Sequence, residues 1–190
     1  GWADNLGMVV YILIPWMINV GTMGQWTAKK FFATYTVLVS IYAYVRWFLG
    51  NDLGINLNIF EVSIGLWIIS EVLFRFWSPR MRWLSGFAGF GVAAVFGIMP
   101  TEIFSDFGRY WWVILFWLPA ALSSSKPEER RVYHWYLLGL LTYITAFVIW
   151  LQGYPGTPYC NPDSWIQPHG IWHLMNAFAT WCFFMFLRTG

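Results

Sequence analysis

The chain has 190 residues, of which 58% are hydrophobic, 22% aromatic and 11% charged, with a formal net charge of +2. A soluble domain carries about 25% charged residues, so a soluble globular protein is excluded, and the lack of a concentrated basic patch excludes a nucleic-acid-binding surface. A mean hydropathy of +0.53 describes an integral membrane protein whose apolar residues face lipid and the seams between helices.

Seven apolar segments follow one another, roughly over 7–23, 29–49, 58–77, 82–99, 107–123, 132–151 and 165–187, each about long enough to cross ~30 Å of hydrocarbon. The breaks are chemical: Gly24-Gln25 with Lys29-Lys30, Gly50-Asn51-Asp52, Ser78-Pro79-Arg80, Pro100-Thr101-Glu102, Ser123 to Pro127, and Gly153 to Pro162. Continuous apolar runs exclude the alternating pattern of a membrane β-barrel. The expected architecture is therefore all-α, a single seven-transmembrane-helix bundle over residues 1–190. The fourth segment is rich in glycine (Gly86, Gly89, Gly91, Gly97), which predicts close helix packing. Cys160 falls in a loop, and Cys182 lies about 20 Å along the last helix from His169, too far for a disulfide between them. No cleavable signal peptide is expected. The sequence opens on Gly1 rather than Met, which is compatible with a preceding piece.

Seven spans sort the charges. Lys29, Lys30, Arg75, Arg80, Arg82, Lys126, Arg130, Arg131 and Arg188, nine of the eleven basic residues, fall on one side; Arg46 and Arg109 fall on the other. The positive-inside rule then predicts the N-terminus outside and the C-terminus in the cytoplasm. An even number of spans would break this alternation. Trp2, Trp26, Trp47, Trp77, Trp83, Trp111, Trp135 and Trp165 lie near segment ends, where indoles favour the interface.

Orientation gives each polar residue a depth. His169 and His173, two of the three histidines, lie one helical turn apart in the outer half of the last segment. Glu61 opens the third segment at similar depth, and Ser40 and Tyr44 lie in the outer half of the second. An imidazole pair four residues apart can hold one metal ion, and His-His-Glu is a ligand set of catalytic zinc with an open position for water. Plainer roles exist for each: His169 follows Pro168 and suits a cap or the interface, His173 suits a hydrogen bond to another helix, and Glu61 suits a pair with Arg46. Glu71 is expected to pair with Arg75 one turn on. Ser63 and Ser70 read as packing serines. His134 opens the sixth segment at the opposite face, so it is read as an interfacial histidine beside Tyr133 and Trp135.

The run through Trp150, Cys160, Gln167, His169, Trp172 and His173, closed by an apolar helix ending at Arg188, resembles the end of the alkaline ceramidases, members of the seven-span metal hydrolase superfamily that includes adiponectin-receptor-like proteins. The resemblance implies a seven-helix bundle with an outside N-terminus and zinc held by His169 and His173. In the family a third histidine stands four residues after a serine on the second helix, and a carboxylate at the start of the third helix supports the site. Here Ser40 matches the serine, Tyr44 stands in the histidine's place, and Glu61 is the nearest acidic residue. The chain is thus identified as a divergent member lacking one zinc histidine. The specific match covers about forty C-terminal residues.

Two functions from different classes follow. In the first the chain is a zinc-dependent hydrolase of a lipid amide, with His169, His173 and Glu61 as metal ligands and Ser40 or Tyr44 hydrogen-bonding the oxyanion. In the second it is a catalytically inactive accessory or scaffolding subunit of a larger membrane protein complex, with a haem or pigment on His169 or His173 as a variant. Membrane lipids are partners in either. The absence of broken-helix repeats argues against a transporter, and the absence of lysine from the seventh segment argues against a retinal Schiff base. Short loops suggest a bacterial inner membrane.

Overall fold

The computed structural model describes residues 2–50, 59–128, 130, 132–153, 156–157, 159–161 and 163–188. The break at Asn51-Asp52, the first residue of the third segment (Asn58), Arg131 and Pro162 lie outside the described residues. All elements among the described residues are helical. They form two compact units, Gly1–Pro127 and Glu128–Gly190.

The first unit is built on α1 (Trp2–Met23), with Val9, Leu13, Trp16, Met17 and Val20 buried. The helix stops in a Schellman motif. Trp26 N–H donates to Gly21 O (2.8 Å) and Gln25 N–H to Thr22 O (3.2 Å), with Gln25 at φ 53°. Thr27 then caps α2 (Ala28–Leu49), its hydroxyl accepting from Lys30 N–H at 3.3 Å. Helix α2 runs antiparallel to α1: Trp2 Nε1 donates to Ala43 O (3.3 Å), and Trp2 and Trp47 meet edge to face. No residue of α2 is fully buried. Its Phe31, Tyr35, Leu38, Val39 and Tyr42 line the face that packs on the core.

Helix α3 (Ile59–Arg75) runs parallel to α1, so Met23 packs on Leu73, Phe74 and Trp77 at their shared end. Ser78 and Pro79 start α4 (Pro79–Leu84), with the serine hydroxyl accepting from Met81 N–H at 3.1 Å. A 3-10 turn, Ser85–Phe87, leads into α5 (Ala88–Val95). Gly97 at φ 86° ends α5: Ile98 N–H reaches back to Ala93 O (3.0 Å). After α6 (Pro100–Ser105), a seven-residue 3-10 stretch, Trp111–Trp117, precedes α7 (Leu118–Leu122). Pro119 explains the tight winding before it. It has no N–H for the Leu115 carbonyl, and Leu118 N–H donates there instead.

The glycine-rich stretch packs closely at two of its four glycines. The aromatic rings of Trp117 and Phe116 lie where side chains at Gly86 and Gly89 would stand, whereas Gly91 faces open space and Gly97 makes the turn. Phe116 and Trp112 are fully buried with Met17, Ile69 and Ile103 in one core.

The second unit is the hairpin of α8 (Tyr133–Leu151) and α9 (Pro168–Arg188). Tyr133 meets Phe186 at one end and Trp150 meets Trp172 at the other, so the helices are antiparallel. Gly139 admits Phe183: an added Cβ would stand 2.8 Å from its ring. Both cysteines are free, Cys160 exposed and Cys182 buried.

Among the described residues, four helices are long and apolar enough to cross a membrane: α1 from Leu6, α2, α8 and α9. Helix α3 has 17 described residues. The fourth and fifth apolar segments are assembled from short pieces rather than single helices, broken where 3-10 turns, Gly97, Pro100 and Asp106 interrupt the α pattern.

Candidate metal centre and its polar neighbours

The loop before α9 is held by its own side chains. Asn161 Oδ1 accepts from Asp163 N–H (3.1 Å), and Ser164 Oγ both donates to Ile166 O (2.8 Å) and accepts from Ile166 N–H (3.2 Å). Pro168 then takes the first helical position, where its missing N–H costs nothing. His169 and His173 fall on one face, both exposed, with Nε2 atoms 2.9 Å apart and ring planes at 66°. At that separation one ring can donate to the other, or both lone pairs can converge on one ion. Zinc at about 2.0–2.1 Å from two imidazoles at the tetrahedral angle sets the nitrogens about 3.3 Å apart. Rotating either ring by a few degrees opens the pair that far. The two nitrogens are thus about 0.4 Å closer than a shared zinc ion would set them.

The pair heads a polar stripe. Asn176 lies seven residues and Thr180 eleven residues after His169, on the same face of α9. Thr180 Oγ1 donates to Asn176 O (2.6 Å). Asn176 Oδ1 is buried and has no hydrogen-bond partner among the described residues. The stripe lies beside the seam with α8, which is made by Trp172, Ala179, Phe183 and Phe186. Sequence reading stopped at the histidines; the i, i+4, i+7, i+11 spacing carried the signal for Asn176 and Thr180. His134 starts α8, at the end of the hairpin opposite His169, with its ring 5.2 Å from Trp135.

In the first unit, Glu61 stands on the first turn of α3. Tyr42 is half-buried on the face of α2 that packs on the core. Ser40 and Tyr44 share the opposite, exposed face of α2; Tyr44 is 65% exposed and its ring lies 4.5 Å from Phe48. Two residues along a helix is about 200° of rotation, so Tyr42 and Tyr44 cannot face one way.

A second polar group is buried deeper. Asn19 Nδ2 donates to Ser70 Oγ (3.0 Å) and to Glu71 Oε2 (3.0 Å), while Ser70 Oγ donates to Trp67 O (2.9 Å). Asn19 and Ser70 are fully buried and Glu71 is 8% exposed. This cluster ties α1 to α3. Glu71 and Ser70 were visible in the sequence, but Asn19 was not singled out there.

Among the described residues no three His, Cys, Asp or Glu side chains gather around a common point. Glu61 belongs to the first unit and the histidine pair to the second. Comparison with protein-family models, with curated proteins and with solved structures finds no match.

Proposed function

We propose that this chain is a divergent alkaline ceramidase-like membrane protein, a metal-dependent hydrolase of a lipid amide. The observation that carries the reading is the convergence of His169 Nε2 and His173 Nε2 at 2.9 Å on an exposed helix face. Zinc bound there would supply a water that ionises near neutrality and a Lewis acid for the carbonyl. His169 and His173 would hold the ion as neutral imidazoles. Glu61 keeps the role read from its depth in the sequence, as third ligand, and Ser40 or Tyr44 that of oxyanion donor; each is open to substitution.

The reading includes seven passes with the N-terminus outside and the C-terminus cytoplasmic, in a bacterial inner membrane. Support comes from charge and, for four of the passes, from helix length. Residues 79–95 and 111–122 make two further helical rods in the first unit, beside α1, α2 and α3. Ser124 and Ser125 N–H donate to Met23 O (3.0 and 2.9 Å), and Arg82 Nε donates to Ala120 O (2.7 Å). These bonds gather the Lys29, Lys30, Arg75, Arg80, Arg82 and Lys126 positions at one end of that unit, the arrangement that the positive-inside rule favours for a cytoplasmic face.

A second reading, an inactive accessory subunit of a membrane complex, is favoured by Tyr44. Where the family places a histidine, the phenol packs on Phe48 instead. Hydrolysis of a fluorescent long-chain ceramide by purified protein separates the two. The hydrolase reading expects turnover that a chelator abolishes, that added zinc restores, and that His173→Ala loses by at least about a hundredfold. No turnover of any lipid amide or ester by zinc-loaded protein would leave the accessory reading.

A further inference from the structure

We propose that the groove between α1 and α2 binds one anionic phospholipid, with an acyl chain between the helices and the phosphate at Lys29 and Lys30. The two helices touch at their far ends, where Trp2 Nε1 reaches Ala43 O, and again nearer mid-length, where Tyr35 Oη donates to Val10 O at 2.9 Å. Between that bond and the α1–α2 turn the two helices line a groove of about 620 Å³. That volume lies within the range of about 300–1,000 Å³ in which proteins bury small ligands. Its walls change character along its length. Ile14, Ile18, Phe32 and Tyr35 line the deeper part, and Thr22 and Gln25 line the end at the turn. Gly21 lies on the groove wall, where an added Cβ would stand in ordinary contact with the Phe31 and Trp26 rings at 3.6 Å.

Charge selects the occupant. Lys29 and Lys30 are exposed beside this mouth and have no acidic partner among the described residues. The Lys30 ammonium stands 5.0 Å from the Trp26 ring, which holds it over the turn. An apolar trough leading to two unneutralised cations at a helix start matches an amphiphile with an acyl tail and an anionic head. A neutral lipid would leave both charges unmatched, and an anion without a chain would leave the apolar trough unfilled.

The test is retention. The full chain is reconstituted in bilayers of phosphatidylcholine with a minority of phosphatidylglycerol, re-extracted, and its bound lipid counted by native mass spectrometry. Wild type should retain one phosphatidylglycerol in preference to phosphatidylcholine. Lys29→Gln with Lys30→Gln should lower that retention about tenfold or more, and the Lys29→Arg with Lys30→Arg pair should keep it. Thr22→Trp, which fills the groove and leaves both lysines, should lower it equally. Equal retention of the two lipids, or full retention by Thr22→Trp, would overturn the proposal. The first outcome would mean a groove indifferent to headgroup, and the second a surface charge with no chain-binding groove. The readout is independent of hydrolase activity.

Discussion

At position 19 a single amide joins two helices inside an apolar bundle. Asn19 uses both amide hydrogens, one on Ser70 and one on Glu71, in surroundings where an amide without partners costs about 1–3 kcal/mol. Asn19→Leu removes both donors and should lower unfolding stability in detergent by about 1–3 kcal/mol; Ser70→Ala, which removes one acceptor, should cost about 0.6 kcal/mol, the average for a hydrogen bond between membrane helices. Thermal unfolding of the two variants checks the order, and a larger loss from Ser70→Ala would contradict the assignment of Asn19 as the hub. The sequence made the histidine pair legible because its partners lie four residues apart on one helix. Asn19 has partners 51 and 52 positions away, so only the packing of α1 on α3 makes it a site. The tyrosines show the same limit. Family spacing from Ser40 led to Tyr44, and the rotational phase of α2, fixed by Tyr35, Leu38 and Val39 packing inward, turned Tyr42 to the core and left Tyr44 exposed.

Among elements, the long apolar segments with clean ends were legible. Thr27 and Ser78 cap α2 and α4 as their residue types require, and breaks at Gly24-Gln25 and Ser123 to Pro127 match the helix ends. The fourth and fifth segments were harder, because apolar composition is blind to hydrogen-bond pattern. Pro119 and Gly97 mark the interruptions locally, but the winding of Trp111–Trp117 into a 3-10 stretch also depends on seating Phe116 and Trp117 against Gly89 and Gly86. Gly89→Leu should overpack that contact and lose about 1–3 kcal/mol. Adding Phe116→Ala should return part of the loss, since the new side chain then occupies the vacated ring volume. Non-interacting losses that simply add would contradict the contact. Gly91→Leu, which meets open space, is the control and should be close to neutral.

For the whole molecule, the distribution of charge carries the topology. Basic positions gather at the end of the first unit where α1, α3 and α7 finish, while Glu61, Glu102, Asp106 and Arg109 belong to segments at its other end. With seven passes this asymmetry puts the α8–α9 loop outside. Cys160 is exposed in that loop and Cys182 is buried in α9. A membrane-impermeant maleimide added to intact cells or right-side-out vesicles should therefore label Cys160 and spare Cys182. Labelling of Cys160 only in inverted vesicles would reverse the orientation.

The most direct test of the central claim is the metal content of the purified protein, measured by elemental analysis beside His173→Ala and Glu61→Gln. The account predicts about one zinc per chain in wild type, lost in His173→Ala because a single remaining imidazole cannot hold the ion, with Glu61→Gln reporting whether that carboxylate completes the shell. Protein purified without chelators and reloaded with zinc that still holds none, or that holds the same amount after His173→Ala, would contradict it: His169 and His173 would then be a hydrogen-bonded pair on a helix face, and the fold would be serving something other than metal-dependent hydrolysis.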